Sequence, residues 1–394
     1  MVWARLTTSI VLIVIILNKK IYMLKVGITG QKGFVGTHLF NTLGLQPERY
    51  ERIAFDRSFF ENENDLDQFV SQCDVIVHLA ALNRHNEQEV IYETNLGLVK
   101  LLLASLKRTN SKAHVIISSS SQEEKDNLYG KSKKEGRELL ALWAKDANTV
   151  FTGMIIPNVF GPFGHPYYNS VVATFSHQVA SGEIPKIEVD GLLKLIYVGE
   201  LVEEILTVIQ NKTNEAHFTV NPTSEAKVSE LLALLQDYKS TYQDKGEIPA
   251  ITTTFELNLF NTFRCYINIS DYFPVKFKQH TDPRGTFVEV IRLGVGGQVS
   301  FSTTVPGITR GNHFHTRKIE RFAVIKGKAL IQLRKIGTEE VLDLYLDGEE
   351  PAYVDMPIWY THNIKNIGDE VLYTNFWINE FFDANDPDTY FENV

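Results

Sequence analysis

The sequence predicts an α/β fold with a doubly wound parallel sheet, followed by a small all-β barrel or sandwich. Three observations carry this. From Met23 to about residue 220, short apolar runs alternate with helical stretches, the pattern of a parallel sheet with helices on both faces. Gly30-x-x-Gly33-x-x-Gly36 stands between the first apolar run and the first helical stretch. After about residue 270 the texture changes to short β-rich runs punctuated by glycine and proline, which marks an all-β unit.

Taken in order, Lys25-Val-Gly-Ile-Thr29 is the first strand, and a helix is expected over Phe34 to Leu43. Asp74-Val-Ile-Val-His-Leu79 and His114-Val-Ile-Ile117 are further buried strands. Helices are expected over Asn95 to Lys107 and Gly130 to Trp143. In the second part, strands are expected at Thr286 to Arg292, Gln298 to Thr304, Arg321 to Ile325, Ala329 to Arg334, Val341 to Leu346 and Val371 to Ile378. The stretch from Ser240 to Tyr272 is mixed in character and holds the boundary, which divides the chain into domains 23–268 and 269–394. At 394 residues there is room for both.

The first 22 residues differ in character from the rest of the chain. Ile10 to Leu17 is an apolar run ending in Asn18, Lys19 and Lys20, too short to span a bilayer, which takes ~20 apolar residues. Ile21 to Leu24 offers no small-residue cleavage site. Segment 1–22 therefore reads as a non-native start, with Met23 as the initiator; a membrane-surface anchor is the other reading. The net charge of -9 excludes a broad basic face for nucleic acid. Cys73 and Cys265 form no CxxC pattern, so neither a disulfide framework nor a thiolate metal site is indicated.

The glycines at 30, 33 and 36 allow a tight turn and let backbone N–H groups, together with those of Phe34 and Val35, approach a pyrophosphate at a helix N-terminus. Tyr129-Gly-Lys-Ser-Lys133 places Tyr129 and Lys133 on one helical face. A neighbouring ammonium favours the phenolate, which suits tyrosine to proton exchange with a carbonyl or hydroxyl. The strand before it runs into Ser118-Ser-Ser-Ser121, and a hydroxyl at a strand end can hold the same oxygen. Glycine loop, strand-end serines and tyrosine–lysine pair follow one another along the chain, and together they leave little room for chance. For the cofactor, Asp56 beyond the second strand favours the free ribose hydroxyls of NAD, whereas Arg57 accommodates the 2′-phosphate of NADP. Arg57 tips the expectation towards NADP(H).

Gly307-x5-His313-Phe-His315-x4-Glu320-x6-Gly327 is the most specific pattern in the chain. His313 and His315 project from one side of a strand, Glu320 begins the next, and His362 comes later in Pro357-Ile-Trp-Tyr-Thr-His362. Imidazoles with one carboxylate make a good set of ligands for Zn2+ or a similar divalent metal.

Residues 24 to about 220 resemble the extended short-chain dehydrogenase/reductases that act on nucleotide sugars, a family with a Rossmann-type sheet. The matching segments are Thr29 to Gly36, His78-Leu-Ala-Ala81, Asn95, Ser118 to Ser120, Tyr129 to Lys133 and Pro157-Asn-Val-Phe-Gly-Pro162. The resemblance implies Ser120, Tyr129 and Lys133 as the catalytic set, and Leu79, Ala80 and Ala81 as further cofactor contacts. It implies Asn83, Asn158, Phe160 and Asn169 as substrate contacts. The segment Tyr197-Val-Gly-Glu200 departs from the Tyr-Val-Asp-Asp common in the family.

The two histidine segments resemble cupin motifs, with Trp359 where a glycine is expected. Asp282 to Glu289 and Thr309 to His313 are also similar to the deoxysugar 3,5-epimerases, in which the histidine matching His313 is the catalytic base. Metal ligation is favoured here because His315 and Glu320 accompany it. The whole stretch from Met23 to Val394 resembles the CapF type of capsular-polysaccharide enzyme, in which an extended reductase is fused to a zinc cupin. That resemblance implies C3 epimerisation of a UDP-linked 4-keto-6-deoxy-N-acetylhexosamine, then C4 reduction to UDP-2-acetamido-2,6-dideoxy-L-talose. It carries the expectation of a cytoplasmic homodimer with no stable membrane association. The alternative is an NAD-dependent nucleotide-sugar epimerase or dehydratase whose cupin serves dimerisation.

Overall fold

The structure, a computed structural model, describes residues 23–394. The expected extension over 1–22 lies outside the described residues. The chain divides into two compact units: one runs to Ile156 and adds Val202–Thr219, the other joins Pro157–Leu201 to Val220–Val394.

In chain order the early strands are β1 (Leu24–Thr29), β2 (Tyr50–Ile53), β3 (Val75–His78), β4 (His114–Ser120), β5 (Phe151–Ile156), β6 (Asn158–Phe160), β7 (Leu192–Tyr197), β8 (Glu215–Thr219) and β9 (Ser224–Lys227). The first unit is a six-stranded sheet ordered β2-β1-β3-β4-β5-β8, parallel throughout. Its central strands are apolar at successive positions, as at Val75 to Val77 and Val115 to Ile117, because helices bury both faces. Those helices include α1 (Phe34–Gly44), α2 (Glu63–Gln72), α3 (Gln88–Arg108) and α4 (Leu128–Ala147). Helix α3 starts well before the expected Asn95. Ile91, Asn95 and Val99 are all buried at i, i+4, i+8 spacing, and the polar residues among them hid the first turns. Asn127 caps α4 by accepting from Gly130 N, and Asn148 ends it in the left-handed region.

The second unit contains a three-stranded sheet, β6-β7-β9, with helices α5 (Val171–Ser181), α6 (Val198–Asn211, whose later turns belong to the first unit), α7 (Val228–Tyr238) and α8 (Thr254–Arg264). Downstream come β10 (Val275–Lys276), β11 (Gln279–Asp282), β12 (Gly285–Val288), β13 (Gln298–Thr304), β14 (Thr309–Phe314), β15 (Glu320–Lys326), β16 (Lys328–Lys335), β17 (Val341–Asp347), β18 (Ala352–Met356), β19 (Tyr360–Asn366), β20 (Leu372–Ile378) and β21 (Tyr390–Phe391). They form two five-stranded antiparallel sheets, β10-β18-β15-β20-β13 and β17-β16-β19-β14-β21. Val324, Val354 and Leu372 from one and Ile331, Leu333 and Ile364 from the other share one core, as in a cupin-like β domain. The strand expected to reach Arg292 ends at Val288, in an exposed hairpin with β11.

Barrel and helical lobe are continuous inside this unit. Ile319 and Trp377 complete the lobe's core beside Leu235, Phe260 and Phe263. Arg321 donates to both oxygens of Asp355, at 2.6 and 2.8 Å, and to the Gly246 carbonyl at 2.8 Å. Tyr242 donates to Asp355 at 2.8 Å, and Arg264 donates to the Met356 carbonyl at 2.9 Å. Arg321 and Asp355 are 2% and 0% exposed, so this ion pair is fully desolvated. Among the described residues no helix is long and apolar enough to cross a membrane.

Candidate active sites

In the first unit the glycine loop runs from β1 into α1. Gly30 has φ +80°, and a Cβ there would lie 2.8 Å from Ala80 N; one on Gly36 would meet the Gly30 carbonyl at 2.2 Å. Bare backbone therefore packs against the Leu79–Ala81 segment. The cap of α1 is Gly33, with no side-chain capping bond, so the first N–H groups of the helix are left for an anion. That is the cradle a dinucleotide needs. Asn95 fixes the adjoining loop by accepting from Leu82 N at 2.6 Å and donating to Leu82 O at 3.1 Å. The half-buried Asn83 comes directly after it.

Tyr129 and Lys133 occupy the first turns of α4, and Ser120 ends β4. Lys133 is 8% exposed, donates to Ser118 O at 3.0 Å, and its Nζ lies 5.9 Å from the Tyr129 ring centre. Burial pushes the Lys133 ammonium down to about 8. Burial and Lys133 likewise drive His78 down to about 3, so that imidazole is neutral. Ser120 Oγ accepts from Gln122 N at 3.2 Å, which leaves its hydroxyl proton to donate elsewhere. Ser118 and Ser119 are committed otherwise, to His78 O and to Glu123.

Asp56 and Arg57 fall just beyond β2, Asp56 capping the short 3-10 turn that Arg57 begins. Asp56 Oδ1 accepts from Ser58 N and Oγ, and Oδ2 from Lys32 at 3.0 Å. These bonds, led by Ser58 N, hold Asp56 down at about 2. Both of its oxygens are thus engaged, while Arg57 is exposed. Lys32 was missed from sequence. Its signal is a cation within the glycine loop, 24 residues from its partner.

In the second unit Asn158 opens β6 and donates to Lys194 O at 3.1 Å. Asn169 is exposed one residue before the Ser170 cap of α5. Phe160, expected to touch substrate, is 2% exposed and packs on Tyr197 and Phe255, so its side chain belongs to the lobe's core.

His313, His315, Glu320 and His362 come together, their ligand atoms all within 4.8 Å of one another. His313 and His362 are cross-strand partners on β14 and β19, with ring centres 4.5 Å apart. His315 Nε2 and His362 Nε2 each lie 3.1 Å from Glu320 Oε2. His362 Nε2 is buried and, despite that proximity, lacks hydrogen-bond geometry. A buried, unsatisfied ligand atom beside a carboxylate fits a metal-binding donor set. Burial and the neighbouring His362 hold His313 down at about 4, whereas burial opposes charge on His315 but Glu320 more than offsets it. Burial also opposes charge on Glu320, yet the two imidazoles keep it ionised.

Trp359 adopts φ +61°, the left-handed conformation that the expected glycine would take freely. Its N–H donates to His315 O at 2.8 Å and its ring stacks on Phe314 at 5.6 Å. Those contacts offset a strain of ~1–2 kcal/mol.

Residues 26–221 match the NAD dependent epimerase/dehydratase family, and residues 280–390 match the polysaccharide biosynthesis C-terminal domain. The chain is 32% identical over 371 residues to a UDP-2-acetamido-2,6-beta-L-arabino-hexul-4-ose reductase of Pseudomonas aeruginosa, covering 93% of this chain and 98% of that one. It is similar to the spore coat polysaccharide biosynthesis protein SpsL of Bacillus subtilis, at 26% identity over 29% of this chain and 82% of that one. Among solved structures, the capsular polysaccharide assembling protein CapF from Staphylococcus aureus is similar at 35% identity and TM-score 0.60, covering 94% of this chain and all of that one.

Proposed function

The chain belongs to the family of the UDP-2-acetamido-2,6-beta-L-arabino-hexul-4-ose reductases and CapF proteins, and from that premise we propose two successive reactions on one UDP-linked 4-keto-6-deoxy-N-acetylhexosamine. The barrel epimerises C3, and the reductase domain then reduces C4 to give UDP-2-acetamido-2,6-dideoxy-L-talose. The observation that carries the reading is the pairing, in one chain, of a buried Lys133 beside Tyr129 with a four-residue donor cluster. We assign the reductase to 23–268 and the barrel to 269–394, in a cytoplasmic homodimer.

The Gly30–Gly36 cradle, with the cation Lys32 within it and Arg57 just beyond β2, would hold NADPH, which would supply the hydride for C4. Tyr129 donates its phenolic proton to the C4 oxygen as negative charge develops there. Ser120 donates a hydrogen bond to the same oxygen. Lys133 keeps a positive charge beside the phenol and reaches the ribose. Asn83, Asn158 and Asn169 are assigned as nucleotide-sugar contacts by the family resemblance, and Phe160 is a core residue. In the barrel, the C4 ketone acidifies the C3 proton, so removing it needs stabilisation of an enolate. His313, His315, Glu320 and His362 would hold Zn2+, which would supply positive charge there. As ligands, none of those imidazoles is free to be the base.

The test is incubation with UDP-4-keto-6-deoxy-N-acetylhexosamine in D2O, with and without NADPH. Deuterium should enter C3 in both samples, and C4 should be reduced only with NADPH. Reduction without prior exchange at C3 would refute the epimerase half.

A further inference from the structure

His315 is held from behind by a segment far along the chain. Its Nδ1 lies 2.5 Å from the carbonyl oxygen of Asp388. A carbonyl only accepts, so Nδ1 carries the proton and Nε2 is the nitrogen turned to Glu320, at 3.1 Å. Asp388 is itself fixed with unusual completeness. Its Oδ1 accepts from Thr316 N at 3.0 Å and Thr316 Oγ1 at 2.6 Å, and its Oδ2 from Arg317 N and Lys318 N, both at 3.0 Å. It is 2% exposed and has φ +39°, a left-handed conformation held by these long-range side-chain bonds. The carboxylate thus grips the turn after His315 while the carbonyl grips the ring.

The flanking residues extend this grip. β21 pairs with β14, setting Phe391 opposite His313 and Tyr390 opposite Phe314. Thr361, next to His362, donates to Glu392 O, and Glu392 N donates to Asn312 O at 3.1 Å. Lys318 Nζ donates to Pro387 O at 2.5 Å. Residues 386–392 therefore form a strap across the strands that carry His313 and His362.

We infer that this strap completes the metal centre, with Asp388 as a positioning residue that presents His315 Nε2 to the ion. The inference rests on the metal reading of the four-residue cluster. Outer groups of this kind typically change metal affinity ~10–100-fold.

The test is zinc affinity of the full chain by chelator competition, together with the visible spectrum of the Co2+-substituted protein. Asp388→Ala should bind zinc ~10–100-fold more weakly and shift the Co2+ absorption bands. Asp388→Asn keeps one acceptor for Thr316 but sets an NH2 group against the Arg317 and Lys318 N–H donors, so it too should weaken zinc binding and shift the bands. A merely structural role would lower stability without changing the spectrum of the folded, loaded protein. Thr316→Val, which removes one bond to Asp388, should show a smaller loss in the same direction and decides the matter if Asp388→Ala does not fold. Unchanged affinity and spectrum in the folded variants would overturn the strap's role. A wild-type chain that binds neither zinc nor Co2+ would instead overturn the metal reading itself.

Discussion

Replacing Arg321 with methionine tests how much the second unit depends on its buried ion pair. The change leaves Asp355 charged and 0% exposed, with the Tyr242 hydroxyl still donating to it at 2.8 Å. Removing one partner of a buried pair costs about 3–5 kcal/mol. The guanidinium also lies 3.7 Å from the Tyr353 ring centre, a desolvated cation–π contact of ~1–2 kcal/mol. Together the loss is roughly 5 kcal/mol, and at ~2–4 °C per kcal/mol for a unit of this size the melting temperature should fall by roughly 10–20 °C. Thermal melting followed by circular dichroism, with metal content assayed at low temperature, reads both consequences. Metal should be retained in the cold, because Arg321 and Glu320 are adjacent on β15 and point to opposite faces. The double variant Arg321→Met/Asp355→Asn should recover much of the loss, since it removes the stranded charge. A single variant that melts within a few degrees of wild type would refute the reasoning, and would put this pair in the class of exposed ones worth ~0–1 kcal/mol.

Tyr129→Phe should lower reduction by ~10²–10⁴-fold and leave C3 exchange intact, measured as NADPH oxidation and as deuterium incorporation. Arg57→Ala should raise the KM for NADPH about tenfold, the equivalent of one charge-assisted hydrogen bond, and spare NADH; an equal effect on both would argue for selection through Asp56. Elemental analysis should find about one zinc per chain, and Glu320→Gln, which removes the anionic ligand, should weaken its binding. Chelation should lower the melting temperature, because the four ligands come from β14, β15, β19 and the turn after β14.

What could be read in advance was whatever local spacing encodes. The glycine loop, Tyr129 with Lys133, and the histidine pair with Glu320 are each defined within a few residues, so periodicity and turn chemistry expose them. The rest is held together by strand register. His315 and Asp388 are 73 residues apart, Arg321 and Asp355 34 apart, and nothing in either neighbourhood announces the partner. β18 escaped notice because Asp355 interrupts its apolar run, although burial of all five residues makes it a core strand. Phe160 differs in the opposite direction: the resemblance implies a substrate contact, whereas its aromatic side chain packs into the core.

The first unit is written in two pieces, and this orders its assembly on the ribosome. β5 is complete at Ile156, buried along its whole length in the finished protein, yet its neighbour β8 begins only at Glu215. At ~5–20 residues per second the nascent chain spends several seconds between the two. Throughout that interval β5 is an open, apolar sheet edge of the kind that pairs with other chains. Residues 157–201 are meanwhile emerging as part of a different compact unit. Slowed translation across this stretch would lengthen the exposure, so synonymous codon choice between residues 156 and 219 should influence the yield of soluble protein without altering a single side chain.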